Sequence, residues 1–147
     1  MAQVWVNFET ISYQLFAISY SEKTSIDNKI MSENILQEKS YKFALRIVKL
    51  SQFLNDEKHE FVLSKKILDS GTAIGVLIEE AKQGENKADF LQKYSIANKE
   101  AFKTNFWLRL LRDGGFLSEK QAQSLLDDCE ELQKMLISSL KTARKSE

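Results

Sequence analysis

From Ser32 onward, apolar residues return every three or four positions, the spacing that places them on one face of an α-helix. Leu36, Phe43, Ala44, Ile47, Leu50, Ser51 and Leu54 form the first such stripe and predict a helix from about Glu33 to Asn55. Asp56–His59, DEKH, reads as a turn. A second stripe, Leu63, Ile67, Ser70, Ile74, Leu77, Ile78 and Ala81, predicts a helix from about Glu60 to Gln83, with Gly84 as its C-terminal cap. Asn86 and Asp89 mark the entry of a third helix that ends near Arg112, ahead of Asp113, Gly114 and Gly115. Ser118 and Gln121 have capping-box spacing and open a fourth helix, with Ala122, Leu125, Cys129, Leu132, Leu136 and Leu140 inward. Four long helices joined by short links predict an all-α, up-down-up-down antiparallel four-helix bundle over residues 32–147.

Residues 1–31 do not share this pattern. They are aromatic and β-branched, carry no lysine before Lys23 and show no helical stripe, so they read as an N-terminal extension. Asn7, Glu9, Thr10, Ser12 and Gln14 break up the apolar core that a secretory signal needs, which argues against export. Met31 precedes a polar helix entry and a periodic run, the appearance of a natural start. Residues 1–30 are accordingly expected to be upstream sequence read in frame, with an N-terminal arm as the alternative.

Composition narrows the class. The absence of proline and the presence of only five glycines fit long helices with short links. No apolar run is long enough to span a membrane. With 21 basic and 21 acidic residues the chain is neutral, so bulk charge does not mark a nucleic-acid binder. A single cysteine excludes an internal disulfide and suits a reducing cytoplasm.

Local patterns then supply candidate surfaces. Gly71 and Gly75 weaken the second helix by about 0.5–1 kcal/mol each. They lie on the edge of its stripe, where missing Cβ atoms let a neighbouring helix approach; a phosphate cradle would need a following Gly-Lys-Ser/Thr and a preceding strand. Lys39, Lys42, Arg46 and Lys49 fall within about 80° of arc on the first helix, forming a basic row that would serve phosphate binding or simply face solvent. On the third helix Ile96, Lys99, Lys103, Trp107 and Leu110 make a second face, flanked by Phe102 and Phe106. A helix apolar nearly all round is covered on more than one side, which predicts self-association, with stacking of single-stranded RNA as the sharper alternative.

Nothing in the sequence assembles a catalytic set. Glu79 and Glu80 diverge by about 100° on a helix, and Asp127, Asp128, Glu130 and Glu131 read as a solvated face around an inward Cys129. His59, the single histidine, lacks the Glu-x-x-His context of a di-metal bundle. The expected protein is not an enzyme and needs no metal, cofactor or small-molecule substrate.

The run from Glu60 to Leu117 resembles the four-helix-bundle proteins encoded by intervening sequences of bacterial 23S ribosomal RNA genes. The landmarks are Ser70-Gly71-Thr72, Ile74-Gly75, Glu79-Glu80-Ala81, Lys87 before Asp89-Phe90, and Ala97-Asn98-Lys99-Glu100-Ala101 leading to Trp107-Leu108. The segment FALRIVKL in the first helix also fits, so the likeness covers most of residues 40–143. Leu77 stands where that family usually carries a polar residue. The resemblance implies a small cytoplasmic bacterial bundle that forms a ring-like homo-oligomer, a pentamer, with no assigned reaction. Relatives act as strongly basic accessory proteins of diversity-generating retroelements, and this neutral chain departs from them. The expected function is therefore binding: RNA or another nucleic acid on Lys39, Lys42, Arg46 and Lys49, and subunit contact through Ile96, Lys103, Trp107 and Leu110. The alternative is a purely structural protein-interaction scaffold.

Overall fold

The computed structural model describes the backbone of residues 2–145 and the side chains of residues 14–145. Its helices are α1 (Ala2–Asp56), α2 (Leu63–Lys82), α3 (Lys87–Asp113) and α4 (Glu119–Lys145), and among the described residues there is no strand. The chain divides into two compact units, Met1–Ile35 and Leu36–Glu147.

Helix α1 begins some thirty residues ahead of the start expected from its stripe near Glu33. The difference has a plain cause. No glycine or proline interrupts residues 2–56, so nothing breaks the helix, while every side chain from Gln14 to Ser32 is exposed. A helix that buries no face leaves no apolar period to read.

The unit Leu36–Glu147 is the four-helix bundle. Cross-helix contacts fix its topology. Asn55 meets Ser64 at 2.8 Å and Gln37 meets Glu79 at 2.7 Å, so α1 and α2 run antiparallel. Ser70 meets Thr104 at 3.0 Å and Glu80 meets Lys93 at 3.0 Å, giving the same sense to α2 and α3. The Cys129 thiol lies 3.3 Å from the Ala101 carbonyl on α3, and Lys39 reaches Glu131 at 2.6 Å, returning α4 to α1. Helices α1 and α3 are thus the diagonal pair.

Burial follows the stripes. Leu36, Phe43, Ile47, Leu50 and Leu54 of α1 meet Ile67, Ile74, Ile78 and Ala81 of α2, together with Leu108 and Leu111 of α3 and Leu125, Leu132 and Leu136 of α4, in one core. Expected core residues Ala44, Leu63 and Leu77 are half-buried at its margin.

The helix ends are set by side chains. Asn86 Oδ1 accepts from Asp89 N–H at 2.9 Å. Ser118 and Gln121 cap each other's backbone N–H groups at 3.0 and 3.1 Å, the reciprocal capping box. Helix α2 starts at Leu63 rather than near Glu60, because the Glu60 carboxylate accepts from the N–H groups of Val62, Leu63 and Ser64 at 2.7–2.9 Å. Glu60 therefore caps the helix from outside its first turn. After α3 the chain reverses at Gly115, whose φ of 83° suits glycine.

Candidate interaction surfaces

The basic row of α1 has partners within its own chain. Lys39 holds Glu131 of α4 at 2.6 Å, and Lys42 holds Glu38 one turn back at 2.7 Å. Arg46 pairs with Asp128, while its second terminal nitrogen donates to Ser124 Oγ at 2.8 Å. Lys49 is exposed and makes no ion pair among the described residues. These contacts move the titrations in the matching directions: hydrogen bonding to Glu131 raises Lys39, and hydrogen bonding from Lys42 lowers Glu38. Both groups are open to water, so each pair adds little stability, but much of the row's positive potential is cancelled locally. Asp128 and Glu131, expected on a solvated face, tie α4 to α1.

The glycines of α2 face α1. A Cβ at Gly71 would lie 2.8 Å from both Cγ1 and Cγ2 of Ile47, whereas at Gly75 the nearest atom would be the Ser40 carbonyl oxygen at 3.5 Å. Gly71 thus leaves no room for even a methyl group, and Gly75 has room for one.

On α3 the expected contact residues divide. Ile96 and Trp107 are half-buried, and Trp107 packs against the core and edge-on to Phe106, with ring centroids 5.2 Å apart. Lys103 pairs with Glu100 at 3.0 Å. Leu110 is open to solvent, as are Phe102 and Phe106, which are 56% and 47% exposed. Spaced by four residues, Phe102, Phe106 and Leu110 make a continuous apolar ridge. Arg109 lies over the Phe106 ring, 5.7 Å from its centroid.

A second ridge escaped the sequence reading. Tyr41, Leu45 and Val48 of α1 are all exposed, at i, i+4 and i+7, beside the basic row that drew attention on that helix. The signal was present in the spacing. Since α1 and α3 are diagonal, the bundle carries apolar ridges on opposite sides.

A family model described as 23S rRNA-intervening sequence protein matches residues 32–138. The chain belongs to this family. It is also similar to a crystal structure from Bacteroides thetaiotaomicron VPI-5482, described as a protein with unknown function from the S23 ribosomal protein family. The two share 46% identity with a TM-score of 0.74, over 75% of this chain and 98% of the other. The curated proteins contain no match.

In this intervening-sequence protein the lone thiol and imidazole stand apart. Cys129 is buried against Ala101, and desolvation, helped by the charge of Glu130, pushes its thiol up to about 12. His59 lies in the α1–α2 turn with φ of 52°. Among the described residues no three His, Cys, Asp or Glu side chains converge as metal ligands, and no helix is long and apolar enough to cross a membrane.

The Cys129 environment gives a testable consequence. At about pH 8.5, where a free cysteine is half ionised, an alkylating reagent will label the unfolded chain and spare the folded one. The folded value lies above the unfolded one, so the protonated thiol's contribution to stability is intact below about pH 8.5 and declines as pH rises towards the folded value. Mass spectrometry after timed labelling reads the first effect, and denaturant titrations across alkaline pH read the second.

Proposed function

We propose that this chain is a non-enzymatic cytoplasmic scaffold that assembles with copies of itself through the two outer ridges of its bundle. The observation that carries the reading is the pair of exposed apolar rows on diagonal helices, Tyr41-Leu45-Val48 on α1 and Phe102-Phe106-Leu110 on α3. Each row places large side chains in water at a cost of roughly 25 cal/mol for every Å² that association would bury. Two different rows on opposite sides favour a heterologous contact, the α1 ridge of one copy against the α3 ridge of the next. Such a contact repeats, and it closes into a ring when the rotation between copies allows. A pentamer is one closure of this kind.

Nucleic-acid binding by Lys39, Lys42, Arg46 and Lys49 is the competing reading, and it receives less support. Three of those cations hold carboxylates of the same chain, so phosphates would have to displace Glu131, Glu38 and Asp128.

Sedimentation of the full chain tests the proposal. The expected mass is a multiple of the 17.0 kDa monomer, and Phe106→Glu is expected to return it to one copy while leaving the helical circular-dichroism signal intact. A wild-type chain that sediments as a monomer at all concentrations would defeat the reading.

A further inference from the structure

The cations of α1 and the anions of α4 cancel in a way that leaves another basic surface open. Helix α4 is divided by charge: Glu119–Glu131 holds five acidic residues and one lysine, whereas Leu132–Lys145 holds Lys134, Lys141, Arg144 and Lys145 with no acidic residue. Lys39 and Arg46 are engaged with the acidic half, through Glu131 and Asp128. None of the four cations in the other half makes an ion pair among the described residues. Lys134, Lys141 and Lys145 line a groove of about 390 Å³ with Ile137, Ser138 and Thr142.

We infer that this groove binds the phosphodiester backbone of a nucleic acid. Its three lysines are seven and four residues apart and fall within about 40° of arc on the helix, so they form a straight row extending for about 16 Å. That length is too great for one phosphate and suits a chain of them. The hydroxyls of Ser138 and Thr142 flank the row and add the uncharged donors that phosphate oxygens commonly receive. Compensation of the helix's C-terminal partial charge does not account for the arrangement, because that effect fades within the last turn. Lys134 lies about three turns from the end of α4 at Lys145.

The test uses the full chain and a fluorescein-labelled single-stranded RNA oligonucleotide, with anisotropy measured at low and moderate salt. Binding is expected to fall with salt at a slope of about −2 in log affinity against log salt, from three single-strand phosphate contacts. The double variant Lys134→Gln/Lys141→Gln should lose about tenfold or more in affinity at low salt, while Lys39→Gln/Arg46→Gln should stay within about twofold. Circular dichroism confirms that both variants fold. No binding by the wild-type chain at low salt overturns the inference, and so does loss of binding confined to the α1 variant. Equally tight binding of polyglutamate would reassign the groove to an acidic protein and overturn the nucleic-acid assignment.

Discussion

Alanine at position 71 will destabilise the bundle, and alanine at position 75 will not. Both substitutions gain helix propensity of up to about 1 kcal/mol. At Gly71 the new methyl would sit 2.8 Å from two carbons of Ile47, a side chain with no exposed surface. Those carbons branch directly from Cβ and cannot swing aside as the tip of a long side chain would, so α1 and α2 must separate. Overpacking of this kind costs about 1–3 kcal/mol, which exceeds the propensity gained. At Gly75 the methyl meets the Ser40 carbonyl at 3.5 Å, an ordinary contact, and the propensity gain survives. Guanidinium midpoints should therefore move in opposite directions, with Gly71→Ala below wild type and Gly75→Ala level with it or above. Equal midpoints would show that α1 does not press on Gly71.

This pair also shows how far the sequence reads. Two glycines on the edge of a stripe indicate a close helix approach, but which one bears the contact depends on Ile47, more than twenty positions away and on another helix. The buried stripes of α1, α2 and α4 were legible because each recurs at helical spacing along one side of its helix, although on α1 the exposed row Tyr41, Leu45 and Val48 runs along another side. Helix α3 was harder, since apolar residues nearly encircle it; Trp107 and Phe106 are neighbours in sequence, yet one turns partly into the core and the other into water.

The helical form of residues 14–32 was not legible in the sequence, because side chains that are all exposed carry no apolar period. The Lys39–Arg46 row was legible as charge, but the carboxylates that hold Lys39 and Arg46 lie some eighty to ninety residues later, on α4. The open cations near the end of α4 drew no reading from the sequence, because nothing in the local spacing tells a paired lysine from an unpaired one. Charge on a sequence gives the number of cations, and only the fold decides which remain uncompensated.

The largest effect expected of any substitution is on assembly. A carboxylate placed in the middle of either ridge must be desolvated when the next copy docks, a cost of several kcal/mol for an unpaired charge. Leu45→Glu and Phe106→Glu should therefore each abolish association while folding normally, since both side chains project from the bundle into solvent. Their defects are complementary. The Leu45→Glu chain keeps an intact α3 ridge, and the Phe106→Glu chain keeps an intact α1 ridge.

Native mass spectrometry of the two variants, alone and mixed in equal amounts, is the most direct test of a heterologous contact. Each alone should be a monomer, and the mixture should form a dimer containing one of each and nothing larger, because one good contact forms and the next is blocked. Persistence of higher assemblies in either variant alone, or monomers only in the mixture, would contradict the pairing of the α1 ridge with the α3 ridge.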